Sequence, residues 1–152
     1  MKKTHNTTVG DFLSSRKMAV AGVSRNPKKF GYIAFKELHD RGFELYPVNP
    51  EAGEILGVKC YASVADLPEG INHLVSMVPK EQTFETVRQA LDKGIGNIWI
   101  QQMSESQEAI NLALEKQAGL VVKSCILMYA KPVKGPHAFH RGLMWMFGRL
   151  AN

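Results

Sequence analysis

Cysteine is scarce in this chain of 152 residues: Cys60 and Cys125 are the only two, and no CxxC spacing joins them. A disulfide-stapled scaffold is thereby excluded, and the usage suits a reducing compartment. Long apolar runs are missing too. No stretch approaches the ~20 residues that span a bilayer, and the start MKKTHNTTVGDF lacks the apolar core of a signal peptide. The expectation is a soluble, cytoplasmic chain with no membrane partner. Acidic residues are absent from both ends, where Lys2, Lys3, Lys123, Lys131, Lys134, Arg141 and Arg149 stand alone. Residues 11–119, by contrast, hold 12 basic and 14 acidic side chains. The net charge of +5 therefore resides in the tails, and the body is no polyanion-binding surface, so nucleic acid is not an expected partner.

What is present is an ordinary globular composition, 45% hydrophobic and 22% charged, which excludes disorder. The length suits one domain that buries ~70% of its unfolded surface. Along the chain, short β-rich apolar runs alternate with helical patterns. A short helix around Val9 to Ser15 precedes a strand at Lys17 to Gly22, and the turn from Gly22 to Gly31 opens a helix that runs to about Arg41 and is capped by Gly42. Strands follow at Phe43–Val48, Leu74–Val78, Asn97–Gln101 and Leu120–Val122, with an edge strand at Val58–Tyr61 and a helical turn at Ser63–Leu67. Two helices intervene. Lys80 to Lys93 has Phe84, Val87, Ala90 and Leu91 on one face, and Glu105 to Gln117 turns Ala109, Leu112 and Ala113 inward. This alternation predicts an α/β fold, a doubly wound parallel sheet of five to six strands covered on both faces.

In such sheets ligands lie outside the strand carboxyl ends, where the strand order reverses. Three loops meet there: Gly22 to Gly31, Asn49-Pro50, and Val78-Pro79-Lys80. The first is the strongest signal, since a glycine after a strand and a helix start together aim backbone N–H groups at an anion. The dinucleotide fingerprint G-x-G-x-x-G is nevertheless absent. Ser24 occupies the place of its second glycine, Gly31 comes late, and the second strand ends in Val48-Asn49-Pro50 with no acid for a ribose hydroxyl. Ser24 and Asn26 offer hydrogen bonds instead, and Arg25, Lys28 and Lys29 offer cations, which suits a ligand richer in phosphate than one pyrophosphate.

The stretches Ala19 to Pro27, Gly42 to Pro50, Ile55 to Ser63 and Trp99 to Gln102 together resemble the small stand-alone CoA-binding domain proteins. Those are similar to the N-terminal CoA-binding domain of the succinyl-CoA synthetase alpha subunit. The resemblance covers about residues 12–125 and implies a Rossmann-like sheet with coenzyme A, or an acyl-CoA, across the switch point. It implies that Gly22, Val23, Ser24 and the run Arg25, Asn26, Lys28, Lys29 to Gly31 hold the phosphates. Val48, Asn49 and Pro50 would flank the adenosine, Val78 and Pro79 would close the other side, and Gln101 would lie near the pantetheine. Relatives carry a cation at the fourth-strand exit that Val75-Ser76-Met77-Val78 lacks, and Lys80 is its candidate substitute.

No complete catalytic apparatus is expected. A full ligase needs a second domain with a phosphorylatable histidine, and His5, His39, His73, His137 and His140 show no readable spacing with a nucleophile. Cys125 reads chiefly as a buried apolar residue, and secondarily as a thiol activated by Lys123. His137 and His140 with Cys125 lack the further ligands of a metal site, so no metal is expected. Residues 1–128 read as the ligand domain and 129–152 as a linker and an amphipathic helix, His137 to Leu150, with Phe139, Leu143, Met146, Phe147 and Leu150 in one stripe. That helix is expected to dock on its own domain or on a second subunit as a homodimer contact. Met128, Met144, Trp145 and Met146 read as core filler or as the lining of an acyl pocket. Two alternatives stand beside CoA binding: an NAD(P) or other nucleotide-binding regulatory module, and an interaction protein that uses the C-terminal helix.

Overall fold

A computed structural model describes residues 7–131. Five parallel strands form the sheet: β1 (Lys17–Ala21), β2 (Glu44–Val48), β5 (His73–Ser76), β6 (Asn97–Gln101) and β7 (Gly119–Ser124). Their spatial order is β2-β1-β5-β6-β7, so the order reverses at β1, between β2 and β5. Helices α1 (Val9–Leu13), α2 (Phe30–Asp40), α3 (Lys80–Asp92) and α4 (Gln107–Glu115) cover the two faces. Successive strand residues point to opposite faces. Met18 and Val20 therefore join Phe12, Phe35, Leu38 and Trp99 on the side of α1 and α2, while Ala19 and Ala21 join Leu74, Val87, Ile98 and Ala109 on the side of α3 and α4. Two-sided burial explains why the strands read as near-continuous apolar runs. Among the described residues no helix is long and apolar enough to cross a membrane.

Four expectations are corrected in detail. The edge strand expected at Val58–Tyr61 is instead one arm of a ribbon, β3 (Glu54–Ile55) against β4 (Val58–Lys59), and only Tyr61 bridges to Val48 of the sheet. Leu56 and Gly57, both at positive φ, turn the chain back on itself before it can run along β2. On α3 the inward stripe is Thr83, Val87 and Ala90, and Phe84 is exposed. Thr83 wins the inward place because its hydroxyl donates to the carbonyl of Ser104 at 2.6 Å, which the apolar count could not register. On α4 Ile110 is buried with Ala109 and Ala113, whereas Leu112 is half-buried. Strand β7 continues past Val122 to Ser124 because Lys123, at φ 62°, shifts the register so that Gln101 faces Ser124.

The end of the described chain is bound to α2. Arg41, 2% exposed, pairs with the buried Glu37 at 3.3 Å and donates to the carbonyls of Leu127 and Ala130. Arg16 stacks 3.7 Å over the Phe43 ring and donates to the carbonyls of Arg41 and Lys131. Tyr129 to Lys131, read from sequence as the start of a linker, are thus tied to the domain. The expected C-terminal helix, and His5, lie outside the described residues.

Candidate functional site

The exits of β1 and β5 meet through backbone alone. Gly22 holds φ +93°, and a Cβ there would lie 2.6 Å from the Met77 carbonyl carbon and 2.7 Å from the Val78 nitrogen. Only glycine lets the two loops pass so closely. Gly31, in the first turn of α2, is under the same constraint: its Cβ would come 2.2 Å from the Gly22 carbonyl oxygen. The start of α2 is therefore pressed onto the β1 exit, the close approach that the third glycine of a dinucleotide fingerprint provides. Gly31 does this nine residues after Gly22, which is why the spacing missed it.

Local hydrogen bonds shape the intervening loop. The Ser24 hydroxyl accepts from the Asn26 N–H at 3.0 Å, the Asn26 side-chain carbonyl accepts from the Lys28 N–H at 2.9 Å, and the Lys29 N–H donates to the Asn26 carbonyl at 3.0 Å. Asn49 ties the β2 exit to the same loop, its amide donating to the Val23 carbonyl at 2.9 Å while its carbonyl accepts from the Glu51 N–H at 2.7 Å. At the start of α2 the cap residue is Lys29, whose side chain supplies no acceptor, and the first turn carries no acid. This helix end is electropositive and open to an anion.

Two cavities open over these loops, one of about 500 Å³ and one of about 540 Å³. Gly22, Val23, Asn49, Val78 and Pro79 line both, so the two form one cleft across the strand ends. Of the other expected site residues, Ser24, Lys29, Gly31 and Gln101 line the first cavity, and Val48 and Pro50 the second. Arg25, Asn26, Lys28 and Lys80 line neither. Asn26 is spent on the loop turn, and the three cations extend into water. The first cavity also takes Phe30, Met77, Gln102, Met103 and Ser104, which the sequence reading missed. The second adds Glu51, Ser63 and the α3 residues Glu81, Glu85 and Gln89. For the three α3 residues the only signal was position on the polar face of that helix.

The halves differ in charge. Among the described residues the first has Lys29 and no acid, and the second has Glu51, Glu81 and Glu85 and no Lys or Arg. Arg88 and Gln89 hydrogen-bond the Glu85 carboxylate and pull its pKa down to about 2, so the charge of Glu85 is partly offset by Arg88. The first half, at the α2 terminus, is thus the less acidic of the two. Gln101 forms the wall at the β6 exit, its carbonyl accepting from the Ile126 N–H at 3.0 Å. Behind it Cys125 is 1% exposed, and burial pushes its thiol pKa up, against weaker pulls from Gln101, nearby backbone and Arg41. Lys123, the cation considered as its activator, is exposed. Cys125 thus packs as a small apolar residue. Met128 likewise packs against the core.

A doubly wound α/β domain with a cleft at its switch point defines the class, a Rossmann-like fold. The sequence pattern of the CoA binding domain matches residues 16–131, and the chain belongs to that family. It is 38% identical over 90 residues to the alpha subunit of acetate–CoA ligase (ADP-forming) II of Pyrococcus furiosus, a match that takes in 59% of this chain and 20% of the subunit. The chain thus spans about a fifth of that relative. It is also 30% identical over 112 residues to the uncharacterised protein YneT of Bacillus subtilis, covering 74% of this chain and 83% of YneT. A solved conserved hypothetical protein from Pyrococcus furiosus shares the fold with a TM-score of 0.70 at 37% identity, over 73% of this chain and 96% of that one.

Proposed function

We propose that this protein binds coenzyme A or an acyl-CoA across the carboxyl ends of its strands, as a binding module with no complete catalytic apparatus of its own. The observation that carries the reading is the Gly22–Gly31 contact at the open, uncapped start of α2, within a domain of the CoA-binding family. The pyrophosphate would sit there beside Ser24 and Lys29, the nucleoside would lie toward Val48 to Pro50, and the pantetheine would pass Val78 and Pro79 toward Gln101. A reducing, cytoplasmic setting suits such a ligand. Relatives that include a CoA ligase subunit support the ligand class, and the ligase activity is said of that relative alone.

One observation favours a second reading. Glu51 and Glu81 in the nucleoside half suit free ribose hydroxyls, as in NAD or another adenine dinucleotide. Calorimetric titration of reduced, ligand-free protein with CoA, acetyl-CoA, NAD and NADP separates the two. Micromolar or tighter CoA binding with poor NAD binding supports the first, and the reverse order replaces it with the second.

A further inference from the structure

Resting on the CoA reading, we propose that the part of the first cavity bounded by Phe30, Met77 and Met103 seats the acyl group of an acyl thioester, and that Met103 sets its selectivity. With phosphates at the α2 terminus and the nucleoside beside β2, the thiol end of an extended ligand is carried over Val78 and Pro79 to the β6 exit. There the wall changes character. Phe30, Met77 and Met103 present apolar surface, with Gln101 and Ser104 as polar edges and no acid among the described residues.

Met103 is 68% exposed, more than any other large hydrophobic side chain among the described residues. It is also held at φ 78°. The turn Gln101 to Ser104 imposes that angle: the Ser104 N–H donates to the Gln101 carbonyl at 2.9 Å, and the Met103 N–H donates to the Glu105 carboxylate at 2.9 Å. Glycine takes positive φ at this turn position without strain, and methionine does not. The free protein therefore carries two costs at one residue, a left-handed backbone and a wetted apolar side chain. The second is relieved when an apolar group of the ligand covers the side chain. A free thiol is too small and too polar to do so, whereas a short acyl chain fits, and the flexible thioether adapts to its shape.

The test is calorimetry of the full reduced chain with CoA, butyryl-CoA and hexanoyl-CoA, for the wild type, Met103→Gly and Met103→Gln, together with unliganded melting curves. Burial of a few methylenes predicts that the wild type binds hexanoyl-CoA about tenfold tighter than CoA. In both variants that ratio should fall toward one, and Met103→Gly should melt at or above the wild type because its backbone strain is relieved. Equal wild-type affinities for CoA and hexanoyl-CoA would overturn the acyl seat and leave CoA binding standing. A ratio that survives both variants would remove Met103 from it, and a Met103→Gly melting point well below the wild type would mark the side chain as structural packing. Failure of all three ligands to bind would overturn this inference and the CoA reading together.

Discussion

The Arg41 guanidinium donates to the carbonyl of Ala130, joining the end of α2 to a residue 89 positions later in the chain. The same guanidinium takes the Leu127 carbonyl and pairs with Glu37, and all of this happens with Arg41 2% exposed. Burial alone would pull the Arg41 pKa down, and Glu37 opposes that pull. The pair is thus a buried charge satisfied on every side, and the tail after β7 is part of the fold because of it.

Arg41→Ala leaves the Glu37 carboxylate and two carbonyls buried without their partner. The expected loss is about 3–5 kcal/mol of unfolding free energy, since an uncompensated interior charge costs far more than a surface pair contributes. Urea denaturation measures it. A loss below about 1 kcal/mol would show that water reaches Glu37 in the variant and that the tail is held by other contacts.

Gly31→Ala tests the cleft. The added methyl would overlap the Gly22 carbonyl oxygen, which is backbone and cannot rotate away, so the start of α2 must move off the β1 exit. The expected outcome is a lowered melting point and at least a tenfold loss of CoA affinity. Unchanged affinity with a lowered melting point would move the anion seat elsewhere. Ser24→Trp, which fills the first cavity without touching that contact, is the companion variant and should abolish binding while leaving the fold intact.

Most of the fold was legible because alternating apolar runs and glycine-capped helices report elements directly. The strand order at β1 followed from the parallel class, and the loops that build the cleft followed from the strand order. What escaped were features that depend on three-dimensional approach. Gly31 does the work of a fingerprint glycine outside the fingerprint spacing, because the long Ser24 and Asn26 turns carry the chain around before it returns. Thr83 is inward through a hydrogen bond rather than through hydropathy. Arg25 and Lys28 look like ligand cations in a linear sequence, yet their side chains leave the cleft for water, while Glu51 and the acids of α3, silent in the sequence, line it.

Those acids predict how the nucleoside end discriminates. A 3′-phosphate placed near Glu51 and Glu81 meets like charge with no lining cation among the described residues, so dephospho-CoA should bind at least as tightly as CoA. Glu51→Lys should reverse the order and favour CoA by about tenfold, the scale of one charge-assisted contact. Paired titrations of wild type and variant read this directly. A wild type that strongly prefers CoA would place the 3′-phosphate against Arg25, Lys28 or Lys80 instead, and alanine variants of those three would show which.

His73 supplies a pH dependence of stability. It begins β5, half-buried, with its ring edge-on to Phe12 at 4.9 Å, and burial lowers its pKa from the ordinary value near 6.5. The folded state therefore binds its proton more weakly than the unfolded state does. Above pH 6.5 both states are neutral at this residue and it has no effect; as pH falls below 6.5 the unfolded chain takes up the proton first, and stability declines until the pH passes the lowered folded value. His73→Phe keeps a ring against Phe12 and removes the titration. The difference in unfolding free energy between wild type and His73→Phe should accordingly be flat from pH 7 to 8 and grow in favour of the variant from about pH 6.5 downward. A difference that stays constant across that range would mean that the folded protein lets water solvate the imidazolium, and that its contact with Phe12 is packing without electrostatic cost.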